Sequence, residues 1–131
     1  MGSRPDEKAP REASSDVQVE ESEEPIVSFK ELGVIDPICE ACEKLHFSRP
    51  TPIQTKAIPE ALQGRDVIGL AQTGSGKTAA FGIGLLNSIV VGQVATQALV
   101  LCPTRELADQ VSKELRRLAR FTQNIKILTL C

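Results

Sequence analysis

Residues 66–71, Asp-Val-Ile-Gly-Leu-Ala, form an apolar run that leads directly into Gln72-Thr73-Gly74-Ser75-Gly76-Lys77-Thr78 and then into an apolar helical pattern. A buried strand, a glycine-rich turn and a helix in that order restrict the chain to α/β architectures. Gly74 and Gly76 allow backbone conformations closed to residues with a Cβ, so successive N–H groups can turn inward and form a nest for an anion. The helix beyond aims the positive end of its dipole at the same point. Lys77 can then reach the outer phosphates of a nucleoside triphosphate, and Thr78 can offer its hydroxyl to Mg²⁺. Ala71 stands where the simplest form of this loop has Gly, a mild departure. A glycine-rich surface turn is the alternative, and the strand pattern before the loop argues against it.

Charge divides the chain in two. Residues 1–24 hold eight acidic and three basic residues, net −5, whereas residues 25–131 hold nine acidic and twelve basic, net +3. The first segment lacks aromatic residues and is rich in Pro, Ser and Glu, so burial cannot offset its ordering entropy. It reads as a disordered acidic tail, solvated unless a partner binds it. Residues 25–131 read as the structured part. No apolar run is long enough to span a membrane and no signal peptide opens the chain, which implies an intracellular protein. Cys39, Cys42, Cys102 and Cys131 are then expected as free thiols. Cys39-x-x-Cys42 lacks a second cysteine or histidine pair, and His46 is the only histidine. Neither is expected to bind metal or to catalyse.

Asp36-Pro37 has the form of a helix cap and first turn, followed by Ile38, Ala41, Cys42 and Leu45 at helical spacing. Thr51 is expected to cap a second helix with Pro52 at its first position, Gln54 in its first turn, and Pro59 ending or kinking it. A helix from Lys77 to about Ile89 is apolar around most of its circumference and should be buried. Residues 97–102 form a second strand pattern, residues 107–121 a second long helix, and residues 125–130 a third strand pattern. Their alternation implies a parallel sheet flanked by helices.

Three stretches together resemble one family. Phe47-Ser48-Arg49-Pro50-Thr51-Pro52-Ile53-Gln54, then residues 71–78, then Pro103-Thr104-Arg105-Glu106-Leu107 are similar in order and spacing to the Q motif, motif I and motif Ia of DEAD-box RNA helicases. The resemblance covers about residues 26–131 and implies the N-terminal part of a RecA-like P-loop domain. It implies ATP and Mg²⁺ as cofactors. Ala71, Gln72, Thr73, Gly74, Ser75, Gly76, Lys77 and Thr78 would hold the phosphates. Lys77 and Thr78 would belong to the catalytic machinery, with Thr78 on the metal. Gln54 would read adenine through its amide, selecting ATP over GTP, and Phe29 would pack on the base. His46 stands where the family usually has Gly, which bears on the backbone path before Phe47.

Pro103, Thr104 and Arg105 would contact RNA, because a capped helix N-terminus and a guanidinium both bind phosphate. Such contacts read the backbone, so binding should be independent of sequence and weakened by salt, with no DNA specificity. Lys113, Arg116, Arg117 and Arg120 share one helix face and read as solvated. Ribosome-assembly proteins are the partners implied. Residues 28–78 look like eukaryotic nuclear helicases of ribosomal RNA processing, and residues 97–131 also resemble bacterial helicases acting on ribosomal RNA. A nuclear or nucleolar site follows for a eukaryote and a cytoplasmic one otherwise.

Residues 1–131 contain no Asp-Glu-Ala-Asp, no Ser-Ala-Thr and no second RecA-like domain. The expectation is an N-terminal fragment that neither hydrolyses ATP nor unwinds RNA alone, and whose strands, not being neighbours in such a sheet, leave buried edges unpaired. Two alternatives remain: a truncated, non-catalytic protein that binds nucleotide or RNA, and an unrelated P-loop kinase or GTPase.

Overall fold

The computed structural model describes residues 27–131. The acidic segment 1–24 lies outside the described residues. Four helices follow in order, α1 (Asp36–Lys44), α2 (Pro52–Leu62), α3 (Lys77–Asn87) and α4 (Arg105–Leu118). Helix α3 packs between α2 and α4, and α1 touches α4.

The core follows from the apolar stripes of these helices. Ile38 and Cys42 of α1, Ile58 of α2, Ala79, Ile83 and Leu86 of α3, and Val111, Leu115 and Leu118 of α4 join Phe29 and Val34 in one buried cluster. Burying an aliphatic side chain of this kind stabilises by about 1.5–3 kcal/mol. Helix α3 is enclosed on several sides, as its composition implies, with Gly82 and Gly84 buried as well. A Cβ on Gly82 would lie 2.8 Å from Leu115 Cδ2, and one on Gly84 would lie 2.8 Å from Ala61 Cβ. The two glycines let α4 and α2 approach the α3 backbone.

Three local expectations need correction. The expected parallel sheet is not formed: among the described residues there is no strand. Residues 66–70, 97–102 and 125–130 make no backbone ladder with one another. They still alternate in exposure as strand residues do, with Leu99 79%, Val100 36% and Leu101 84% exposed. Segments that are not neighbours cannot pair, so their patterning survives without hydrogen bonds. Asp36 does not cap α1, since the cap residue is Ile35 and its N–H donates to Asn87 Oδ1 at 2.8 Å. Pro59 neither ends α2 nor falls at its edge, because the helix continues to Leu62. Only three residues follow Pro59, and the N–H groups of Gln63, Gly64 and Arg65 close the helix end on Glu60, Ala61 and Pro59 carbonyls.

Helix α1 ends in a Schellman motif. The N–H of His46 donates to Glu43 O at 3.0 Å and that of Phe47 to Cys42 O at 2.9 Å. His46 sits at φ +61, the left-handed region that glycine enters at no steric cost. The backbone before Phe47 thus takes the path that a glycine would favour, with a histidine in its place.

Candidate nucleotide site

The phosphate loop is the turn between residue 70 and α3. Gly74 has φ +80 and Gly76 φ +87, so both use the freedom that selects glycine. Gly76 is also the N-cap of α3, with no side chain closing the helix start. Among the described residues, the N–H groups of Gly74, Gly76, Lys77 and Thr78 have no acceptor. These donors lie on the turn that begins α3, at the positive end of its dipole. Lys77 is exposed, and neither ion pair among the described residues involves it. Ala71 is partly buried, Gln72 and Thr73 are exposed, and the Ser75 hydroxyl is buried without a hydrogen-bond partner.

Gln54 reaches this loop from α2. It is 2% exposed and both ends of its amide are engaged. Its Oε1 accepts from Thr51 N–H at 3.0 Å, and its Nε2 donates to Gly76 O at 3.1 Å. The Thr51–Gln54 pair has the arrangement of a capping box, but Thr51 Oγ1 itself has no hydrogen-bond partner. That hydroxyl is left buried beside Gly76. A Cβ on Gly76 would lie 2.4 Å from Gln54 Nε2, so the absent side chain is what admits the amide.

A cleft of about 380 Å³ runs along the same junction, lined by Thr51, Ile53, Lys56, Leu70, Ala71 and Ser75. Lys56 was not among the residues singled out in the sequence, although its position one turn beyond Pro52 places it over the loop. Phe29 lies elsewhere. It is 6% exposed within the main core cluster and borders a separate cleft with Lys30, Phe47 and Ser48. The structure therefore joins Gln54 to the phosphate loop and leaves Phe29 in a neighbouring depression.

Thr104 caps α4 as its position suggests, its Oγ1 accepting from Leu107 N–H at 3.2 Å. Pro103, Thr104 and Arg105 are all exposed at that helix start, and Arg105 is in no ion pair among the described residues. The basic face of α4 is not wholly solvated, a correction to the sequence reading. Arg116 donates to Ser112 Oγ at 3.2 Å and to Ile127 O at 3.0 Å, and the Arg120 guanidinium lies 5.4 Å from the Phe121 ring centre. The four cysteines are free thiols. Burial, reinforced by Cys39 and Glu114 nearby, pushes the Cys42 thiol up to about 12, and burial also raises Cys39. Cys42 is buried and Cys39 half-buried, an arrangement that suits packing, and no metal-holding cluster occurs among the described residues.

Residues 51–131 match the DEAD/DEAH box helicase family. The chain belongs to that family. This membership removes the unrelated kinase or GTPase as a reading. The helicase-family chain is 56% identical over 111 residues to the ATP-dependent rRNA helicase RRP3 of Yarrowia lipolytica, covering 82% of the chain. It is also 56% identical over 107 residues to the ATP-dependent RNA helicase DbpA of Escherichia coli, covering 81% of the chain. It spans 23% of the length of each of these relatives. The crystal structure of a DEAD box protein from Methanococcus jannaschii aligns with a TM-score of 0.69 at 41% identity, over 76% of this chain and 27% of that one. Saccharomyces cerevisiae Dbp5 bound to RNA and ADP BeF3 aligns with a TM-score of 0.71 at 35% identity, over 73% and 25%. The fold is thus of the RecA-like DEAD-box type, with the sheet unformed among the described residues.

Proposed function

We propose that this chain is the ATP-recognition part of an RNA helicase that couples ATP binding and hydrolysis to RNA unwinding or remodelling of ribonucleoprotein, acting on ribosomal RNA. The observation that carries the reading is the Gln54–Gly76 hydrogen bond, which joins the segment assigned to adenine with the loop assigned to phosphate. ATP fits this junction chemically. The N–H groups of Gly74, Gly76, Lys77 and Thr78 lack acceptors among the described residues, and Lys77 and the orphaned Ser75 hydroxyl lie on the same turn. Lys77 would neutralise the outer phosphates, Thr78 would take the Mg²⁺, and Gln54 would select adenine. Bound Mg²⁺ would polarise the phosphoryl oxygens. Pro103, Thr104 and Arg105 would hold an RNA phosphate at the start of α4.

The name of the RRP3 relative supports ribosomal RNA as the substrate, and from that substrate we infer ribosome-assembly proteins as partners and a nucleolar site in a eukaryote. No helix among the described residues is long and apolar enough to cross a membrane. Competition against a fluorescent ATP analogue tests the nucleotide assignment. ATP should displace it at least about tenfold better than GTP, about 1.4 kcal/mol of discrimination. Equal displacement by GTP sinks the adenine assignment to Gln54.

A further inference from the structure

The cleft of about 380 Å³ between α2 and residues 70–75 opens on a different face of α2 from Gln54. Successive helical residues turn by about 100°, so Lys56 stands about 200° around the helix from Gln54. Gln54 faces the start of α3 through its bond to Gly76 O, whereas Pro52, Ile53 and Lys56 share the other face and line the cleft. The amide assigned to adenine therefore does not serve it. Ile53 meets the segment before the loop at Gly69, where a Cβ would lie 3.6 Å from its Cδ1. Leu70, 91% exposed, adds an open apolar wall.

The polar groups of this cleft are uncommitted. Thr51 Oγ1 on the helix side and Ser75 Oγ on the loop side are buried and have no hydrogen-bond partner, and both residues line the cleft. Lys56 is exposed and belongs to neither ion pair among the described residues. Ser75 also differs from its neighbours on the loop. Its N–H donates to Gln72 O at 3.2 Å, while those of Gly74, Gly76, Lys77 and Thr78 have no acceptor among the described residues. Its hydroxyl is thus the group left over on a residue whose amide is already used. Two hydroxyls that can donate and one ammonium suit the same group, an anionic oxygen cluster. The surfaces of Pro52, Ile53 and Leu70 suit a compact apolar body. Small-molecule sites of this volume are mostly apolar with a few such polar groups.

We propose that this cleft is a second ligand site, separate from the nucleotide loop, for a small amphiphilic phosphate monoester. Its three terminal oxygens meet Lys56 and the Thr51 and Ser75 hydroxyls, and its apolar body lies on Pro52, Ile53 and Leu70. A carboxylate, with two oxygens, leaves one of the three donors without a partner.

Acetylation of the intact 131-residue chain, followed lysine by lysine by mass spectrometry at fixed ionic strength, tests the site with phenyl phosphate. A ligand of this size binds with Kd on the order of 1 mM, so about 5 mM should slow acetylation of Lys56 about sixfold and leave Lys44 and Lys113 unchanged. Benzoate, and inorganic phosphate without an apolar body, should each protect Lys56 less. Protection of Lys77 in place of Lys56 means that the phosphate loop takes the compound, equal protection of all lysines means non-specific binding, and either result, or no protection, overturns the proposal. Because Lys56 is exposed, its substitution leaves the fold intact and gives a second reading. In ligand-observed NMR, Lys56→Gln should weaken phenyl phosphate binding about fivefold or more, and Lys56→Arg should hold it within about twofold. The same affinity in Lys56→Gln as in the unaltered chain also overturns the proposal.

Discussion

The side-chain amide of Gln54 donates to the backbone carbonyl of Gly76 at 3.1 Å, although 22 positions of sequence separate them. The same carbonyl accepts the Ala80 N–H at 3.0 Å, so one oxygen starts helix α3 and receives α2. The loop before α3 is thereby fastened to the first turn of α2.

Gln54→Leu removes both amide contacts and leaves Thr51 N–H and one lone pair of Gly76 O without their partner. Leaving such buried groups unpaired costs about 1–3 kcal/mol. Urea denaturation should show a loss of that size, with weaker ATP binding alongside. An unchanged midpoint would mean that the Gln54 amide is held there only by packing.

Gly74→Ala and Gly76→Ala separate conformational strain from collision. Both positions have φ near +80 to +87, so an alanine at either costs about 1–2 kcal/mol. Only at Gly76 would the new Cβ also strike Gln54 Nε2, at 2.4 Å, whereas at Gly74 nothing lies within 4 Å. Gly76→Ala should therefore destabilise the chain clearly more than Gly74→Ala in parallel thermal melts. Equal losses would refute the contact argument.

His46→Gly should stabilise. The left-handed conformation at φ +61 strains a residue with a Cβ by about 1–2 kcal/mol, while glycine loses up to about 1 kcal/mol of chain entropy. A net gain of a few tenths to about 1 kcal/mol is expected from denaturant midpoints. His46→Val, branched at Cβ, should move the midpoint the other way.

The Cys42 thiol stays protonated in the folded chain up to about pH 12, against an ordinary value of 9.0. In the unfolded chain it ionises near the ordinary value, so the unfolded state loses its proton first as pH rises. Stability from this group is full below pH 9 and declines between 9 and about 12. Alkylation at pH 8.5 should label exposed Cys131 first and Cys42 only on unfolding, and early labelling of Cys42 would contradict its burial.

Ile68, Leu70, Leu101, Leu128 and Leu130 are each 84% exposed or more on segments without ladder partners. Bare apolar side chains beside unpaired backbone are a template for association. Sedimentation velocity should show concentration-dependent self-association, reduced by Ile68→Lys with Leu128→Lys. A monomer at every concentration would show that these faces are covered.

The phosphate loop, the Thr51 and Thr104 caps and the buried α3 were legible because each depends on neighbours in sequence: glycine pairs, a hydroxyl three residues before an amide, a continuous apolar run. The sheet was legible only as a pattern. Alternation writes the faces of residues 97–102 and 125–130 into the sequence, but a ladder needs a second strand at the right register, which local sequence does not supply. Asp36 was misplaced as a cap because Ile35 takes its acceptor from Asn87, 52 positions away. Pro59 was read as ending or kinking α2, and it does not end the helix because so few helix bonds remain beyond it. Gln54 was assigned to a base, and its burial against Gly76 was invisible until α2 was laid beside α3.

The two glycines of α3 have a consequence in time as well as in space. A methyl of Leu115 and the methyl of Ala61 sit where Gly82 and Gly84 have no side chain, so α3 is gripped on two flanks at backbone distance. Its central amides cannot meet solvent without parting three helices at once, whereas the amides of Gly74, Gly76, Lys77 and Thr78, a few residues earlier, have no acceptor among the described residues to hold them back. In deuterated water slow hydrogens in the middle of α3 should therefore follow fast ones at Gly74, Gly76, Lys77 and Thr78 within a few residues, and a bound triphosphate would be read as the sudden slowing of the fast group.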